Sequence, residues 1–149
     1  MSKYDIAIGS DHGGFILKED IKQYLESLGL AVQDMGTYDE ESCDYPVFAK
    51  KVVKEILSNK AQNGILVCGT GQGMAMYANK FQGIRAVVCS DTFSAHASKE
   101  HNNSNILCLG QRIVGKGLAL DIVKTWLNSS YEAGRHQRRL DMFSDTNLY

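Results

Sequence analysis

Gly64-Ile65-Leu66-Val67-Cys68-Gly69-Thr70-Gly71-Gln72-Gly73-Met74 runs from an apolar stretch into three glycines at alternate positions, then into a short segment of helical spacing that ends near Lys80. An apolar run of this length without alternation reads as a strand buried on both faces. Strand, glycine turn and helix in that order form the repeating unit of an open parallel sheet, and such sheets bind ligands beyond the carboxyl ends of their strands. Glycines at 69, 71 and 73 let backbone N–H groups converge on an anion, helped by the positive end of the helix that follows. A tight turn without a ligand is the plainer reading of the same pattern.

The flanking sequence repeats the unit. Tyr4–Ser10, Leu30–Met35, Arg85–Cys89 and Asn105–Gly110 are further apolar runs rich in β-branched residues, which predicts five strands buried on both faces. Between them lie helical spacings: Leu17, Ile21, Leu25 and Leu28; Phe48, Val52 and Ile56 after a start at Asp44-Tyr45-Pro46; a stretch from about Asp91 to His101; and Leu118, Ile122, Val123, Trp126 and Leu127. Alternating strands and helices with right-handed crossovers predict an α/β fold: a doubly wound, Rossmann-like, five-stranded parallel sheet with helices on both faces. No linker, repeat or low-complexity segment divides residues 1–149, so one domain is expected, with a basic C-terminal arm from about Gly134.

Composition narrows the function. At 149 residues the chain is of ordinary single-domain size, roughly 100–150 residues. Sixteen Lys and Arg against seventeen Asp and Glu give a net charge of -1, so nothing draws the chain as a whole to nucleic acid or an anionic membrane. The longest uncharged stretch, Ala61 to Asn79, is broken by Gln62, Asn63, Gln72 and four glycines and does not read as a membrane span. The N-terminus lacks the apolar core of a signal peptide, and a cytoplasmic location is expected. Cys43, Cys68, Cys89 and Cys108 form no C-x-x-C pair, which suits reduced thiols rather than zinc ligands or disulfides.

Candidate site residues follow from position. Cys68 stands at the mouth of the glycine loop, where converging amides and a helix N-terminus favour a thiolate, whereas Cys89 and Cys108 read as small buried hydrophobes. Asp11 and His12 open the first strand-to-helix turn; they suit acid–base work or phosphate binding, with a local turn bond for Asp11 as the alternative. His101-Asn102 suits either a helix end or catalysis. Arg135 and Arg139 fall four apart in the basic cluster Arg135-His136-Gln137-Arg138-Arg139 and, on a helix, would offer two guanidinium forks to a phosphate monoester. A Walker loop is absent, and G-x-G-x-G is not the dinucleotide spacing. Asp91 nevertheless lies near the distance of a ribose-binding acid, so dinucleotide binding stands as an alternative.

Asp11-His12-Gly13-Gly14-Phe15, Asp44-Tyr45-Pro46, Cys68-Gly69-Thr70-Gly71, Ala78-Asn79-Lys80, Gly83-Ile84-Arg85-Ala86, His101-Asn102 and Gly134-Arg135-His136, in this order over nearly the whole chain, resemble type B ribose-5-phosphate isomerase. The wider family includes galactose-6-phosphate isomerase subunits and enzymes of allose 6-phosphate. The resemblance implies interconversion of ribose 5-phosphate and ribulose 5-phosphate through a cis-enediolate, without metal or organic cofactor. It further implies a homodimer, sometimes assembled into a tetramer.

By the same resemblance Cys68 is the base between C2 and C1, and Thr70 the hydroxyl beside it. The amides of Gly69, Thr70, Gly71, Gln72 and Gly73 hold the enediolate oxygen. His101 opens the furanose ring with Asp11 assisting; His12, Arg135 and Arg139 grip the phosphate; Asn102 and Arg112 are further substrate ligands. A branch of the family uses a glutamate where this chain has Met74, so the cysteine branch fits. Crossover topology sends His101 to the end of its helix far from Cys68, which predicts active sites shared between two chains. Competing readings are an isomerase of a 6-phosphohexose and a non-catalytic, flavodoxin-like module for a phosphate ligand or nucleotide.

Overall fold

The computed structural model describes residues 1–149. The interior of the sheet is built from β1 (Tyr4–Ser10), β3 (Ala61–Cys68) and β5 (Ile106–Gly110), and its edges from β2 (Val32–Asp34) and β4 (Ala86–Val88). All pairings are parallel and the order is β2-β1-β3-β5-β4. The chain winds outward from β1 in one direction and from β3 in the other. The loops after β1 and β3 therefore part company and leave a crevice at the carboxyl end.

Side chains of the central strands alternate between two cores. Ile6, Ile8, Ile65, Val67, Leu107 and Leu109 face α1 (Phe15–Ser27), α4 (Thr92–Glu100) and α5 (Lys116–Asn128), whose Leu17, Ile21, Ala95, Ile122 and Trp126 close that layer. Ala7, Leu66, Cys68, Ile106 and Cys108 face α2 (Tyr45–Leu57) and α3 (Gln72–Ala78) through Val52, Val53, Met74 and Ala78. The helices thus cover both faces, as the strand–helix alternation predicts.

Burial on both faces holds for the three central strands and not for the edges. β2 is half-buried throughout and Val88 is exposed, because an edge strand has a neighbour on one side alone. β3 begins at Ala61, earlier than its apolar run, since Tyr4 of β1 pairs there and carries the ladder across the polar Gln62 and Asn63. Asp91 caps α4: its carboxylate accepts bonds from the amide and hydroxyl of Ser94 at 2.6 and 2.9 Å. That use removes the acid that dinucleotide binding required.

A feature outside the apolar pattern fixes β2 to α1. Lys18 is fully buried, and its Nζ donates to both oxygens of Asp34 and to Glu19 Oε1, each at 2.8 Å. Burial opposes ionisation of Asp34, but hydrogen bonds from Lys18 and the Gly36 amide outweigh it and hold the carboxyl below its ordinary range. No helix is long and apolar enough to cross a membrane.

Candidate active site

Cys68 is the last residue of β3 and is nearly buried, at 6% exposure. The chain then turns sharply, with Gly71 in the left-handed region at φ +81°, a conformation that disfavours any side chain. This turn aims the Gly71 amide back at the thiol, N to Sγ 3.1 Å. Thr70 projects outward, and its Oγ1 accepts from the Gln72 amide at 3.3 Å. Met74 is fully buried in the core layer beneath, so the position where the other branch has its glutamate carries no acid–base group.

Neighbouring strand ends complete the rim. β5 lies beside β3, and Gln111 N donates to the Cys68 carbonyl at 2.9 Å while Arg112 N donates to that of Gly69 at 3.0 Å. The Arg112 guanidinium then packs beside Gly69. On the other flank Asp11 follows β1. Its carboxyl is largely buried, caps nothing, and leaves Oδ1 without a partner. The local turn bond considered for Asp11 is therefore absent. Gly14 lets α1 start directly over β3, where a side chain would collide with the Val67 carbonyl. His12 Nδ1 accepts from the Cys43 amide at 3.2 Å, which leaves Nε2 as the nitrogen of the ring that carries a proton to donate.

The remaining predicted residues lie elsewhere. His101 caps the far end of α4, two residues after Lys99, whose Nζ reaches Asn63 Oδ1 at 2.7 Å near the start of β3. Asn63 and Cys68 are five residues apart on an extended strand, about 16 Å. Beside His101 lies exposed Asn102, and against it packs α6 (Arg135–Asp141), with the His136 ring stacked on the His101 ring at 4.6 Å between centroids. Arg135 and Arg139 are exposed on that helix, so the basic arm is a short helix with a further turn at Met142–Ser144. The structure thus brings Asp11, His12, Cys68, the loop of residues 69–73 and Arg112 together at one end of the sheet. It brings His101, Asn102, Arg135 and Arg139 to the other.

Three contributors escaped the sequence reading. The Tyr45 ring lies on the backbone of Gly73, a contact that Asp44-Tyr45-Pro46 did not signal either as a helix start or as part of the family resemblance. Cys43 sets the His12 tautomer through its backbone, which carries no residue signature. Gln111 Oε1 accepts from Leu17 N at 2.9 Å and ties the end of β5 to α1. Burial pushes the Cys89 thiol up to about 11 and the Cys108 thiol well above the usual thiol range.

A model of the family described as "Ribose/Galactose Isomerase" matches residues 6–143. Ribose-5-phosphate isomerase B of Escherichia coli is 49% identical over 136 residues, covering 91% of each chain. D-erythrulose-4-phosphate isomerase of Pectobacterium atrosepticum is 44% identical over 131 residues, covering 87% of this chain and 86% of that one. The crystal structure of a ribose 5-phosphate isomerase from Thermotoga maritima superimposes with a TM-score of 0.94 at 51% identity, over 95% of this chain and 98% of that one. On this ordered match over nearly its whole length, the chain belongs to the ribose/galactose isomerase family.

Proposed function

We propose that this protein interconverts D-ribose 5-phosphate and D-ribulose 5-phosphate, with Cys68 as the base. The observation that carries the reading is the thiol at the end of β3, bonded by the Gly71 amide and flanked by the unpartnered carboxylate of Asp11. Isomerisation of an open-chain aldose needs a base that takes the proton from C2 and returns it to C1. The enediolate formed between the two transfers needs donors that are already in place. Cys68 Sγ takes the proton, the amides of residues 69–73 face the developing oxygen charge, and the Thr70 hydroxyl stands beside them. His12 Nε2 offers a donor to the phosphate.

The second half of the site comes from another copy of the chain. His101 moves the proton that opens the furanose ring, with Asp11 assisting from the first chain, and Arg135 and Arg139 clamp the phosphate, with Asn102 beside them. Because these four lie at the opposite end of the sheet from Cys68, a two-fold dimer that sets one chain's carboxyl end against its partner's amino end would build two equivalent sites. The phosphate grip would hold C1 and C2 against the thiol, using remote binding energy to orient the reacting carbons.

The similarity to an isomerase of D-erythrulose 4-phosphate supports a second reading, with a phosphorylated sugar of another length as the preferred substrate. The 6-phosphates of allose and galactose belong to the same question. A coupled assay with ribose 5-phosphate, erythrulose 4-phosphate, allose 6-phosphate and galactose 6-phosphate tests both readings. The first expects the highest kcat/KM on ribose 5-phosphate, and turnover of none of the four would overturn the isomerase reading itself.

A further inference from the structure

His136 takes no part in the reaction proposed above, yet it is the most conspicuous side chain of the arm. Its side chain is 8% exposed, and Nε2 is buried without a hydrogen-bond partner. Glu132 Oε2 lies 3.6 Å from that nitrogen, beyond hydrogen-bonding distance. A buried imidazole nitrogen with no partner is costly and calls for an explanation. On the other side the His101 ring stacks at 4.6 Å, its plane inclined by 20°. One ligand atom from each of His101, Glu132 and His136 lies within 4.8 Å of the other two.

Two imidazole nitrogens and one carboxylate oxygen within 4.8 Å of one another are the donor set of a zinc site with an open fourth position, which the His101 ring reaches by turning out of its stack on His136. Zinc holds its ligands at about 2.0–2.2 Å, so these donors must draw in by roughly 1 Å. His101 and Glu132 are about half exposed and free to do so, while buried His136 is the fixed point. Glu100, already paired with His96, leaves Oε1 3.7 Å from His101 Nε2 and adds negative charge beside the three donors.

We propose that His101, Glu132 and His136 form an inhibitory site for a divalent transition metal of the zinc class. The metal takes the lone pair that His101 needs for ring opening, so bound metal and turnover exclude one another. The inhibitory effect rests on the role given to His101 above; the metal site itself does not.

The test is titration of the purified protein with Co2+, read by its visible absorption, followed by displacement with Zn2+. One Co2+ per chain is expected. Affinity should fall at least about tenfold in His136→Ala and in Glu132→Gln, and stay unchanged in Cys68→Ser and Cys43→Ser, which remove the competing thiols. Glu132 is exposed, so its variant keeps the assay interpretable should His136→Ala fold poorly; far-UV circular dichroism checks both. Zn2+ should inhibit the wild type, reversibly with chelator, and should inhibit Glu132→Gln at least about tenfold more weakly. Wild-type protein that binds no Co2+, wild-type affinity retained in both ligand variants, or loss of binding in a cysteine variant would each overturn the site. Binding that depends on His136 and Glu132 but leaves turnover untouched would overturn the inhibition and, with it, the ring-opening role of His101.

Discussion

The amide of Gly71 points at the sulfur of Cys68 across 3.1 Å, although the two residues are separated by a turn rather than by regular structure. A donor so placed is in position before substrate arrives and costs no reorganisation during proton transfer. Cys68→Ala should therefore lower kcat by about 100- to 10,000-fold while leaving sugar-phosphate affinity within a few-fold, measured by steady-state kinetics and calorimetry. Cys89→Ala and Cys108→Ala should stay active if folded, since both thiols are buried in the core and kept protonated. Near wild-type kcat in Cys68→Ala would remove the thiol from the chemistry.

Gly71→Ala should damage the same bond from the other side. At φ +81° an alanine is strained, and its Cβ would stand 3.1 Å from the Leu109 backbone, so the turn must shift and carry the amide away from the sulfur. The expected signature is a fall in kcat larger than any rise in KM. A fall confined to KM would place the loop in binding alone.

Replacing Arg135 or Arg139 should raise KM and lower kcat on a phosphorylated sugar, and change little on its unphosphorylated counterpart, because phosphate binding orients the reacting carbons. Equal losses on both substrates would move the arginines away from the phosphate.

Asp34→Asn leaves the charge of fully buried Lys18 with Glu19 as its one remaining carboxylate and should cost up to about 3 kcal/mol in denaturant unfolding, with Lys18→Met costing less because it removes the buried charge itself. The carboxyl of Asp34 is held below its ordinary value of 3.8. The folded state therefore binds fewer protons there than the unfolded one, and the pair's stabilisation is present above about pH 4 and lost as the pH falls through the folded value. Wild-type stability should decline more steeply below about pH 4 than that of Asp34→Asn, and parallel acid profiles would contradict this.

The strands and helices were legible because each central strand carries an uninterrupted apolar stretch, and one such as Ile65–Val67 within β3 needs no partner to be recognised. The edges were less so: β2 and the start of β3 owe their hydrogen bonds to a neighbour that the local sequence does not encode. Within the candidate site, Cys68, Asp11 and His12 could be singled out because they sit directly after strands. Arg112 gained its place from the insertion of β5 between β3 and β4, a strand order that residue patterns leave open. Tyr45, the Cys43 amide and the Lys18–Asp34 pair are contacts between distant segments, where no spacing rule applies.

One catalytic site is expected to draw Cys68 from one chain and His101 from another, since a single chain holds Cys68 at the carboxyl end of β3 and His101 beyond the end of α4, where Lys99 reaches Asn63, about 16 Å along the strand from Cys68. The direct measurement is complementation: Cys68→Ala and His101→Ala, each nearly inactive, are unfolded together in equal amounts and refolded. Random pairing makes half the dimers mixed, each with one site that carries both intact residues, so activity should return to roughly a quarter of wild type. No recovery, with mixed dimers shown to be present, would contradict the shared site.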